Sequence, residues 1–197
     1  MPASLRQVTT QDIIPDKAYA LERKARRAAL APVKRLRRIA LGPHCTLYFE
    51  SFETMLFQIQ EMLLTEKGGA AQLADELAAY NPLIPKGREL VATVMFEIDD
   101  PLRRGNVLMQ LGGVERHMYI SVAGERVAGE PDPTRENTSA DGKASAVQFM
   151  RFRFSPALIA KFRDPQTQML VGIDHPRYGH IAVMPEVVRA ALAEDFG

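Results

Sequence analysis

Cysteine is nearly missing from this chain of 197 residues; Cys45 is the single one. An intramolecular disulfide is therefore excluded, and no cysteine or cysteine–histidine spacing exists for a structural zinc or an internal iron–sulfur cluster. Tryptophan is absent and aromatic residues make up 7% of the chain, which leaves few platforms for stacking nucleic-acid bases. Charge of one sign is missing as well. Lys and Arg number 25 against 24 Asp and Glu, a formal +1, so no global field selects nucleic acid or an acidic partner. No apolar run approaches bilayer-spanning length, and the N-terminal MPASLRQVTTQDIIPDK lacks the basic region, apolar stretch and cleavage site of a secretory signal. These absences predict a cytoplasmic protein with no membrane contact.

What is there predicts one domain over residues 1–197, large enough to bury roughly two-thirds of its unfolded surface. DKAYALERKARRAALA, from Asp16, reads as a basic helix that Pro32 interrupts, so that residues 1–35 form an N-terminal helical arm. Gly42-Pro43 joins a hairpin of residues 38–41 and 46–50, with Leu47 and Phe49 on one side. In the next helix Met55, Leu56, Ile59, Met62 and Leu63 share a broad apolar arc, and Thr54, Gln58, Glu61 and Thr65 form a narrow polar stripe opposite. Gly68-Gly69 ends it, and a helix from Ala70 stops at Tyr80, before Asn81-Pro82.

Leu90, Ala92, Val94, Phe96 and Ile98 alternate onto one face of a strand. Pro101 opens a helix through Leu111, and Val114 to Val122 reads as a strand again. Residues 124–143, GERVAGEPDPTRENTSADGK, have almost no apolar content and read as a long polar loop. Strand follows at 144–154, a short helix capped by Ser155, a last strand pair near 169–173 and 181–183, and a terminal helix after Pro185. Strands in hairpin-like pairs predict an α+β fold, a mainly antiparallel sheet with helices on one face.

Candidate chemistry gathers in a few places. Read as strand, 114–122 puts Glu115, His117, Tyr119 and Ser121 on one face, where Glu97 of the preceding strand could join them. Carboxylate, imidazole and phenol on one surface suit proton transfer or a ligand; solvent exposure alone would give the same row. Arg116 falls on the apolar side, where a guanidinium needs a carboxylate or a bound anion. His175, in Asp174-His175-Pro176, is a second candidate, with His180 beyond the turn; simple turn chemistry competes with it. No two histidines have the spacing of a zinc motif, so neither metal nor cofactor is expected. Gln148 and Arg151 interrupt an apolar strand beside the long loop with Arg135, and could meet an anionic ligand. Gln60 sits poorly in the polar stripe and is expected to cap backbone groups of a neighbouring loop such as 80–82. Arg23, Lys24, Arg26, Arg27, Lys34, Arg35, Arg37 and Arg38 could face phosphates, but no reading-helix motif or interleaved aromatic accompanies them, which tells against nucleic acid.

GPHCTLYFE, LFQIQEML, AYNPLIP, GVERHMYI, SAVQFMRF and GIDHP, spread over nearly the whole chain, resemble an uncharacterised bacterial domain-of-unknown-function family. The resemblance implies genomic company with rubrerythrin and a heterodisulfide-reductase-like iron–sulfur oxidoreductase, hence a link to redox or peroxide stress, and carries no catalytic residue. The expectation is an accessory protein with such redox partners, and the apolar excess of the 53–64 helix suggests a homodimer. The alternative is a small-molecule binder or enzyme using Glu97, Glu115, Arg116, His117, Gln148, Arg151 and His175; the second is nucleic-acid binding through the basic helix.

Overall fold

Eight strands whose alternate side chains are apolar have to bury one face, and with no long parallel crossovers they do so by curling into a nearly closed antiparallel barrel. A computed structural model of the chain describes residues 5–197, so the first four residues of the predicted 1–35 arm lie outside the described residues. The strands are β1 (Arg38–Leu41), β2 (Cys45–Phe49), β3 (Glu89–Phe96), β4 (Met118–Val122), β5 (Glu125–Pro131), β6 (Val147–Arg153), β7 (Met169–His175) and β8 (Tyr178–Val183). They run in the order β1-β2-β3-β6-β5-β4-β7-β8, every neighbour antiparallel. The expected α+β class and antiparallel sheet are what the chain adopts. β5 is shared, pairing with β4 through Ala128 and with β6 from Gly129 onward.

Inward residues of these strands, among them Leu47, Leu90, Val94, Ile120, Phe152 and Val171, form the main core. Helices α4 (Pro101–Met109), α5 (Pro156–Arg163) and α6 (Glu186–Ala193) add Leu108, Leu158, Phe162, Val188 and Leu192 to it. The seam between β1 and β8 is closed by one side chain. The Tyr178 hydroxyl donates to the Leu41 carbonyl (2.8 Å) and accepts from the His44 N–H (2.9 Å), while its ring meets Phe96 edge-on at 5.7 Å. Gly42 allows the close approach there: its φ is +71°, and a Cβ would lie 2.5 Å from the His180 ring.

The outward faces of β2, β3 and β6 are roofed by α1 (Asp16–Arg35), α2 (Phe52–Glu66) and α3 (Gly69–Tyr80). Phe52, Met55, Ile59 and Leu63 of α2 pack with Val91 and Ile84 in a second core. The apolar excess that suggests a dimer in the sequence is thus used within one chain. Ser51 caps α2, accepting from the Thr54 N–H, and Lys67 ends it with φ 55°. Glu61, in the polar stripe, clasps α1 by accepting from the Tyr19 hydroxyl (2.7 Å) and from Arg23 (2.8 Å). The Arg23 bond, more than anything else, holds its carboxyl below the ordinary value.

Two side-chain amides strap down the N-terminal segment. Gln60 accepts from the Ile14 N–H (2.8 Å) and donates to its carbonyl (3.3 Å); Asn81 does the same with Val8 at 2.8 and 3.0 Å. Gln60 therefore caps backbone as expected, at Ile14 and not at 80–82.

Three expectations are corrected. Pro32 does not end α1, which runs on to Arg35; in the last turn the ring removes a single backbone bond, and Lys34 and Arg35 suit the negative helix end. Residues 114–116 are a 3-10 turn and not strand, so β4 begins only at Met118. The segment 124–143 is not all loop, because residues 125–131 form β5, a strand with one covered face. Of the basic residues from Arg23 to Arg38 named above, Arg37 alone turns inward. Arg37 is buried, paired with Asp195 and bonded to the carbonyls of Phe49 (3.0 Å) and Glu50 (2.8 Å). Removing one partner of such a buried pair costs about 3–5 kcal/mol, whereas exposed pairs such as Arg26–Glu22 contribute a fraction of that.

Tyr178→Phe deletes the hydroxyl that joins Leu41 and His44 across the seam, and is expected to lower unfolding free energy by about 1–3 kcal/mol. Urea unfolding of both proteins checks it; an unchanged midpoint would mean that the seam is held by packing alone.

Candidate functional site

The predicted row does not assemble as alternation implies. β3 and β4 are separated by β6 and β5, so Glu97 cannot face His117; instead it accepts from Thr46 (2.7 Å) and Tyr48 (2.8 Å) on β2. The 3-10 turn swings Glu115 inward, where it is buried and accepts from the Thr138 hydroxyl at 3.0 Å. The same turn sends Arg116 outward, with 81% of its side chain exposed, and not into the apolar face. Arg151 is held by Glu89 and by the Pro82 carbonyl (2.6 Å), on the outer face of β6. Gln148 points into the barrel and donates to the carbonyls of Asn137 (3.3 Å) and Ser145 (3.4 Å).

What does come together is His117, His175 and Asp174, with Glu115 close by. The two imidazoles meet edge-on at 5.1 Å, and His117 Nδ1 lies 3.0 Å from Asp174, which also takes Arg126 at 2.7 Å. His117 first, then Arg126, keeps the Asp174 carboxyl below its ordinary value. His175 is buried; its Nδ1 accepts from the Arg177 N–H (3.2 Å), and its ring bonds the Gly112 backbone, so Nε2 carries the proton. Both of its nitrogens are engaged. Among the described residues, no group of three or more His, Cys, Asp or Glu is placed to hold a metal ion. The cluster ties the end of the 3-10 turn to β7.

The concave site lies on the outer face of the sheet. Register places Tyr48, Thr93 and Phe149 in one row across β2, β3 and β6, and Met95 beside Val147 in the next. α2 crosses above them, and Lys34 of α1 and Tyr80 of α3 also line a cavity of about 420 Å³. At the point where β2 turns into α2 stands Glu50, only 9% exposed. Its Oε1 accepts from the Thr93 hydroxyl and its Oε2 from the Thr54 hydroxyl, both at 2.6 Å. Gln58 Nε2 reaches the Tyr80 hydroxyl at 3.5 Å along the same wall. Burial, then its bond to Glu97, raises the Tyr48 phenol above its usual range.

Sequence reasoning missed Glu50, Tyr48 and Thr93 as site residues. A signal was present: with Leu47 and Phe49 facing the core, Tyr48 and Glu50 share the other face, and α2 directs Thr54 and Gln58 of its polar stripe toward them.

The fold and cleft define a class, a curled antiparallel barrel with a three-helix roof over one outer face. The chain belongs to the family described as protein of unknown function DUF3501, which it matches over residues 7–196. It is similar to a solved structure of a novel protein of unknown function from Burkholderia pseudomallei K96243, with 33% identity over 97% of this chain and 100% of the other, and a TM-score of 0.90. No curated protein matches. No helix among the described residues is long and apolar enough to cross a membrane.

Burial first of all lowers the His175 pKa, so protonation is resisted in the fold. Because the folded value lies below the ordinary 6.5, the unfolded chain binds the extra proton first, and this group's stabilising contribution, complete above pH 6.5, is lost as pH falls from there through the depressed folded value. Imidazole ¹⁵N spectra are expected to show His175 as the Nε2–H tautomer at pH 7 and titrating below 6.5; titration above it would contradict the placement.

Proposed function

We propose that this chain is a cytoplasmic accessory protein that binds a small molecule in the cleft between the helical roof and β2, β3 and β6. One observation carries the reading: a cavity of about 420 Å³, mostly apolar, whose wall includes a buried carboxylate, a side-chain amide and two tyrosines. Ligand sites are concave, apolar for the most part, and furnished with a few placed polar groups. Helices and strands supply most of the wall, so much of the shape exists before a ligand arrives and binding does not bear the full cost of forming it.

The association with rubrerythrin and an iron–sulfur oxidoreductase, implied by the resemblance, fits a protein that holds a small molecule for such partners. A thiol role is poorly supported. Cys45 is 2% exposed, and burial, with Glu97 adding to it, pushes its thiol up to about 12.

A fragment library followed by thermal shift and by ¹³C-methyl spectra of Met55 and Met95 is expected to yield binders that move those two signals. Val147→Trp, at a partly exposed strand position on the rim, should fill the opening and abolish those responses while leaving the melting temperature within a few degrees. Failure of every fragment to move either methyl would overturn the reading.

A further inference from the structure

We propose that the ligand of this cleft is an organic cation, a small aromatic or aliphatic body bearing a protonated amine or amidine that docks on Glu50. The proposal rests on the cleft being a binding site and names the chemistry it selects.

The Glu50 carboxylate is buried at the cavity wall and held in one orientation by two threonine hydroxyls. A carboxylate offers about four lone-pair directions, and the hydroxyls occupy two of them. The hydroxyls contribute dipoles and no charge. Among the described residues, no cationic side chain forms an ion pair with Glu50. The guanidinium that reaches this corner, Arg37, bonds the main-chain carbonyl of Glu50 and is committed to Asp195. Lys34, also on the cavity wall, holds its ammonium 5.4 Å from the centre of the Phe57 ring. A buried carboxylate left in that condition is costly, and a bound cation is the group that offsets the cost.

The rest of the cleft excludes the simpler cations. A metal ion needs several hard ligands, and Glu50 is the single carboxylate of the cavity wall. Met55, Met95, Val147 and Phe149 ask instead for an apolar body, and the methionines adapt to its shape. Inside such walls a charge-assisted hydrogen bond is worth more than it is in water, so the carboxylate favours a protonated amine or amidine over a neutral ligand of the same shape.

Benzylamine, benzamidine, benzyl alcohol and phenylacetate are titrated separately into the full chain, with the Met55 and Met95 methyl signals and calorimetry as readouts. The amine and the amidine are expected to bind and move both signals, and phenylacetate to do neither. Glu50→Gln keeps an acceptor for Thr93 and supplies a donor to Thr54, so the fold should persist while cation affinity falls by roughly 10- to 100-fold. Should that variant not fold, Thr93→Val, which removes one orienting hydroxyl, is expected to weaken the cations several-fold.

Cation binding unaltered in Glu50→Gln, or in Thr93→Val where that stands in for it, overturns the proposal. Methyl shifts with the alcohol or the acid but not with the cations overturn the assignment to cations and leave the cleft as a binding site. Silence from all four probes counts against the cation, and only silence across the whole fragment library removes the cleft as well.

Discussion

Everything in this molecule depends on β2, β3 and β6 being packed on both faces, by the barrel core within and, over part of their length, by the helical roof without. Their inward residues complete a barrel core, and their outward residues must then meet helices and not water. Strands buried on both sides are ordinarily apolar throughout. Here the outer row holds Tyr48 and Thr93, with Glu50 at its end, and these polar groups find partners among themselves and on α2. The cleft is the volume that remains where a roof of round helices meets a row of side chains with mixed lengths and polarities.

The roof is kept in place by polar ties at its edges and by apolar packing between them. Gln60 and Asn81 each pair an amide with a backbone residue of the N-terminal segment, in the manner of one rung of a sheet. Glu61 holds α1 through Tyr19 and Arg23, and Arg37 binds the end of β2 to Asp195 beyond α6. Burial pushes the Asp195 carboxyl up while Arg37 opposes it, a tension that only a close pair can sustain. Restraint from several directions leaves the cavity preformed. The histidine pair, by contrast, closes a turn: each His175 nitrogen is occupied and Asp174 is shared between His117 and Arg126.

Local signals read well because local physics decides them. The alternation in 90–98, the apolar arc and polar stripe of α2, the Ser155 cap and the break at Asn81-Pro82 all correspond to elements found at those places. Alternation misled in 114–122, where Gly113 at φ +83° starts a 3-10 turn and period two no longer applies. It misled in the opposite sense in 124–143, where a polar outer face hid strand β5, with Val127 alone fully turned inward. Glu97 and His117 were set across from one another on the assumption that successive strands are neighbours, and two strands stand between them.

The residue pattern by itself determined most of the elements, the α+β class, the two-sided character of the α2 helix and the inert setting of Cys45, because burial and backbone geometry act over a few residues. Strand order, and with it the site, was decided only by the tertiary structure. Glu50 lies in the β2–α2 connection, Thr54 on α2 and Thr93 on β3, and no pattern along the chain ties that carboxylate to both hydroxyls until β2 pairs with β3 and α2 folds back across them.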